Sequence, residues 1–89
     1  MLSLKDLIGM CGLEEAEVLA IAEHEHLTEP AAAALGCHLL NTEGGPALIR
    51  EFIEDDIRQA LEGGSYAHAS ELKETLKGFL AQHPESLRR

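Results

Sequence analysis

Toward the C-terminus the chain places an apolar residue every three or four positions. Ala69, Leu72, Leu76, Phe79, Leu80 and His83 share one stripe, whereas Ser70, Glu71, Lys73, Glu74 and Lys77 fall elsewhere. That period is the 3.6-residue turn of an α-helix, so the spacing predicts an amphipathic helix from Ser65 to His83-Pro84 that packs by one face. Before it, Pro46 stands in the first turn of a predicted helix reaching about Glu62, set off by the break NTEGG at 41–45 and closed by Gly63-Gly64. Thr28 caps a further helix with Pro30 in its first turn, where a missing N–H costs nothing. Its body, AAAALGCHLL, is apolar on nearly every side, a pattern expected of the most buried helix of a bundle. The stretch Leu13–Leu27 opens with Glu14, Glu15 and Glu17, whose charges suit the positive end of a helix dipole. Ser3 and Asp6 form an S-x-x-D capping box for a short N-terminal helix ended by Gly9 and Gly12. The pattern therefore predicts an all-α fold, a compact bundle of about five short helices in a single domain over 1–89. The last two helices, joined by two or three residues, are expected to form an antiparallel hairpin.

Composition narrows what such a bundle can do. Only Phe52, Tyr66 and Phe79 are aromatic, so the core is aliphatic and alanine-rich, which favours helix over sheet. A formal charge of -9, with no basic stripe, repels phosphate backbones and anionic lipid, arguing against nucleic-acid and membrane partners. No charged leader precedes an apolar run, and no stretch approaches the ~18 apolar residues that span a bilayer. The expectation is a soluble, cytoplasmic protein. Cys11 and Cys37 lack C-x-x-C spacing and are too few for a disulfide framework, so each reads as a small buried apolar residue.

The segment ALEGGSYAHASELKETL, residues 60–76, resembles the UVR motif, a helical hairpin, and less closely the second helix of a tetratricopeptide repeat. Ala60, Tyr66, Ala69, Leu72 and Leu76 occupy the matching positions. Ser65, Leu61 and Lys73 depart from the motif's acidic residue, second alanine and arginine. The resemblance covers about a fifth of the chain. It implies protein association, including pairing with a second copy.

Candidate chemistry concentrates in EHEHLTEP at 23–30. Glu23 and His26 form Glu-x-x-His, which places a carboxylate and an imidazole on one helical face, as in di-iron bundles. A homodimer would supply two such pairs, with Asp56, Glu51 or Glu54 from the 46–62 helix completing a site for iron, zinc or manganese. With 13 Glu and 5 His in the chain, about 0.7 such spacings arise by chance. The preferred reading is a solvated helix end without a cofactor, where His24 and His26 meet the negative end of the dipole. Cys37-His38 point about 100° apart on a helix and do not make a two-ligand set.

Asp56 lies within the stripe Ile49, Phe52, Ile53 and Ala60, and Glu23 lies similarly among Ala16, Leu19, Ala20 and Leu27, so both are expected to face inward. A buried carboxylate needs a partner or a raised pKa. His68 and His83 are the other expected buried polar groups, and a hairpin closed near 64 puts His68 within reach of Asp56. The two glycine pairs lack the Lys-Ser/Thr of a phosphate loop, and no catalytic triad context is present. The reading is a small helical protein-interaction or regulatory module, not clearly an enzyme, whose partner is another protein, possibly itself as a homodimer. The metal-binding homodimer is the alternative.

Overall fold

A computed structural model of the chain describes residues 11–87; the helix expected from Ser3 lies outside them. Four α-helices follow in order: α1 (Glu15–Glu25), α2 (Glu29–Leu40), α3 (Gly45–Glu62) and α4 (Tyr66–Gln82), with a 3-10 segment, Pro84–Leu87, after them. Among the described residues there is no strand, and no helix is long and apolar enough to cross a membrane.

Local chemistry explains each boundary. At the start of α1 the Glu14 N–H donates to Glu17 Oε1 at 3.0 Å, while the Glu14 side chain accepts from the Glu17 backbone, so two orphan donors are satisfied reciprocally. α1 stops at His26, which turns left-handed with φ 56°. Thr28 Oγ1 accepts from the Ala31 N–H at the head of α2, and the Asn41 and Thr42 side chains bond the carbonyls of Cys37 and His38 at its tail. α3 closes with Gly64 at φ 78°, where Gly64 N–H donates to Leu61 and Ser65 N–H donates to Ala60. That pair of bonds is a Schellman cap, and its left-handed residue favours glycine. At the head of α3, a Cβ on Gly45 would stand 1.7 Å from the Leu39 carbonyl oxygen, so the α2–α3 connection closes only around glycine.

α3 is the hub. It packs against α1, α2, α4 and the 3-10 segment, whereas α2 and α4 do not contact one another. The core forms around Ile49, Ile53, Phe79, Ile21 and Val18, all essentially inaccessible. This corrects the expectation that AAAALGCHLL lies at the centre: Ala31, Ala34 and His38 of α2 are exposed. The reason is area, since an alanine contributes little apolar surface and the larger stripe Ile49, Phe52 and Ile53 gains more by taking the middle.

The cysteines also require correction. Cys11 and Cys37 are not separate packed thiols but a disulfide, with Cα atoms 5.4 Å apart across 26 positions of sequence. It fastens Cys11, four positions ahead of α1, to the last turn of α2. Nothing in the spacing announces it, because the pairing arises only when α1 folds back on α2.

Candidate functional site

α1 and α4 lie side by side in opposite directions, fixed by a polar bridge near each end. Gln82 Nε2 donates to Glu14 Oε1 at 3.0 Å, and His68 Nε2 lies 2.6 Å from Glu23 Oε1. Between the bridges runs an open groove of about 290 Å³, lined chiefly by Ala16, Leu19, Ala20, Leu72 and Thr75. Two helical repeats build it, since Ala16-Leu19-Ala20-Glu23 and His68-Glu71-Leu72-Thr75 both follow the i, i+3, i+4, i+7 spacing. On the α1 side the floor of the groove is Ala20, which is buried, while Ala16 is exposed on its wall, and a methyl group is too small to fill the space between two backbones. Leu19 remains 45% exposed on its wall.

Behind the Glu23–His68 bridge sits a buried acid. Asp56 is 2% exposed, and its Oδ2 has no hydrogen-bond partner. Burial, reinforced by the negative charge of Glu23, pushes this carboxyl up to about 6, while His24 and His68 act in the opposite sense. His24 stacks on Phe52 with ring centroids 4.4 Å apart. Its Nδ1 reaches Glu25 at 2.8 Å and its Nε2 reaches Asp55 at 3.1 Å. Burial works against the imidazolium, but the bonds to Asp55 and Glu25 and the charge of Asp56 outweigh it, so His24 sits above the usual histidine range. The same contact with His24, followed by Arg58, holds Asp55 below the usual carboxylate range. Asp56 thus lies among two histidine–carboxylate pairs, His24–Asp55 and Glu23–His68, which join α1 to α3 and to α4.

Several expected placements change. Glu23 does not face inward: it is exposed and bound to His68. The core side of α1 is defined by Glu17, Val18, Ala20 and Ile21, and the alanines that suggested an inward stripe at Glu23 mark the groove instead. His68 is likewise exposed and pairs with Glu23, not with Asp56. Asp56 is not among the groove's lining residues, whereas His68 is. His83 is half-buried, tilted against Phe79, with Nδ1 3.2 Å from Glu85.

Within one chain, Glu23, His26 and Asp56 do not come together as a ligand set. The left-handed turn at His26 ends the register that would align it with Glu23, and among the described residues no group of three or more His, Cys, Asp or Glu could hold a metal ion. Of the hairpin positions, Ala60, Ala69 and Leu72 are buried and Leu76 is half-buried within the chain's own core, while Tyr66 is exposed.

Three buried polar residues, Glu17, Arg50 and Ser86, stand outside those expected from the sequence. Glu17 is 1% exposed, with one carboxylate oxygen unpartnered. Burial raises its pKa, the Glu14 N–H and the nearby His83 opposing that rise. The wheel contains the signal, because Leu13, Ala20 and Ile21 stand at i-4, i+3 and i+4. Arg50 donates from Nε to the Ser86 carbonyl at 2.9 Å and from Nη1 to Glu54 at 2.9 Å, pinning the 3-10 segment to α3. Ile49 and Ile53 beside it place Arg50 at the core edge, but nothing local identifies Ser86 as its acceptor.

No protein-family model, curated protein or solved structure matches the chain.

Proposed function

We propose that the chain is a small helical protein-interaction module that receives an amphipathic helix of another protein in the α1–α4 groove. The observation carrying this reading is an apolar channel held open between two antiparallel helices, bridged near both ends and walled by a leucine that the chain's own fold leaves half-exposed. Two parallel-sided helical walls match the shape of a helix laid lengthwise, whose i, i+3, i+4 and i+7 side chains enter such a channel as anchors. The α3–α4 unit is read as an antiparallel hairpin supporting α4 from behind. Its Schellman turn and the three-residue link favour that arrangement.

Pairing with a second copy through the hairpin stripe has little surface to use, because Ala60, Ala69 and Leu72 are spent inside the chain. The compartment expectation is also revised: a disulfide between Cys11 and Cys37 favours oxidising surroundings over the cytoplasm. The test is a photo-crosslinking amino acid placed at Leu19, and separately at Lys73 on the other side of α4, in the cell that makes the protein. A discrete adduct with another protein from position 19 and none from position 73 is the expected result. Equal labelling from both positions, or none from either, removes the proposal.

A further inference from the structure

Resting on the groove reading above, we infer that the occupant is a cationic amphipathic helix, one that carries Lys or Arg beside its apolar stripe, and not a second copy of this chain. Among the described residues, the acidic side chains lining the groove are Glu23 and Glu71, and no Lys or Arg lines it. Glu15 continues the Leu19 edge of α1, about 40° away on the wheel, and Glu74 continues the Glu71 edge of α4, about 60° away, so each wall carries acid along its outer margin. The lysines of α4, Lys73 and Lys77, are turned about 140° and 180° from His68 and face away from the channel. Of the arginines, Arg50 is bound to Glu54 and Arg58 to Asp55 and Glu62 on α3. A neutral floor between acidic margins selects a helix of opposite margin charge. A second copy would instead bring a formal -9 against -9.

His68 sharpens this selection. It is the basic-capable group at the groove, and it is engaged by Glu23 at 2.6 Å. A partner lysine or arginine near that end meets the Glu23 carboxylate, which can trade its histidine contact for a fixed cation, whereas a partner carboxylate meets Glu23 and Glu71 with no lysine or arginine among the lining residues to receive it. Charge therefore sets specificity, and the leucine contact sets residence.

The experiment uses two fluorescein-labelled 18-residue probe peptides with an identical leucine stripe, one filled with lysine and the other with glutamate. Polarisation is read against the full chain and against its Leu19→Glu and Glu71→Lys variants, each checked for helicity by circular dichroism. Saturable binding of the lysine peptide is expected, with the glutamate peptide at least tenfold weaker. Leu19→Glu adds negative charge while removing an apolar wall, so groove binding of the lysine peptide weakens roughly tenfold, whereas a mere surface attraction strengthens. Glu71→Lys narrows the gap between the two peptides. Lysine-peptide binding unchanged or tightened by Leu19→Glu overturns the inference. Equal binding of both peptides, lost together in Leu19→Glu, keeps the groove but refutes its charge selection. Binding of neither removes both readings, and a dimer by sedimentation that Leu19→Glu dissociates makes the occupant a second copy.

Discussion

Replacing Asp56 with asparagine keeps the shape of a side chain that is 2% exposed while removing its ability to ionise. The carboxyl sits at about 6 in the folded chain against an ordinary value of 3.8. At 1.36 kcal/mol per pH unit, that gap makes the ionised form cost on the order of 3 kcal/mol of folding free energy. The sign follows from the direction of the shift. A carboxyl raised by folding favours the folded state fully below its unfolded pKa, and that advantage is lost as pH rises through the folded value. Wild-type stability attributable to Asp56 therefore falls between about pH 4 and pH 7 and is flat above. Urea titrations followed by far-ultraviolet circular dichroism at pH 4.5, 6 and 8 measure it. Asp56→Asn is expected to exceed the wild type by about 1 kcal/mol at pH 4.5, where the unfolded carboxyl is already largely ionised, and by about 3 kcal/mol at pH 8. Because the other carboxylates titrate in both proteins, the difference between the two curves reports Asp56 together with its coupling to His24. His24, also raised on folding, adds a second loss in the wild type as pH climbs past the usual histidine range, and this loss weakens in the variant because Asp56 helps to hold that proton. A difference that is flat across pH, or a variant less stable at pH 8, would refute the assignment of Asp56 as an uncompensated buried acid.

Cys37→Ser opens a loop of 26 residues, so the chain-entropy relation gives a loss of about 3–4 kcal/mol. Reductant should then lower the urea midpoint of the wild type and leave that of the variant unchanged. Gly45→Ala places a methyl against the backbone carbonyl of Leu39, which cannot swing aside as a side chain does; a loss above about 2 kcal/mol is expected by thermal melting. His68→Gln removes the His68–Glu23 contact, which is nearly half-exposed at both partners, and so should cost under about 1 kcal/mol. A larger cost, measured by the same urea titration, would mean that the bridge organises the α1–α4 seam and does not merely span it.

The all-helical class was legible because its causes are local. The Ala69-to-His83 stripe, the Thr28 and Pro30 start of α2, and the glycines at 44–45 and 63–64 act within a turn or two of themselves, and each can be read without knowing what the helix will touch. The inward direction of Asp56 belongs with them, since Ile49, Phe52, Ile53 and Ala60 define a wide apolar arc around it. Glu23 misled because its arc was drawn by alanines, which sit equally well in a core or on the wall of a groove.

Tertiary structure decided everything that depends on which faces meet. His68 finds Glu23 across 45 positions, Arg50 finds Ser86 across 36 and Cys11 finds Cys37 across 26. No helical period specifies such partners. The centre of the bundle passed from the alanine-rich α2 to α3 for the same reason, because burial rewards total apolar area over the whole assembly and not apolar fraction within one segment. Periodicity fixes where each helix points its side chains; only packing fixes what stands opposite, and a groove is the place where packing leaves nothing there.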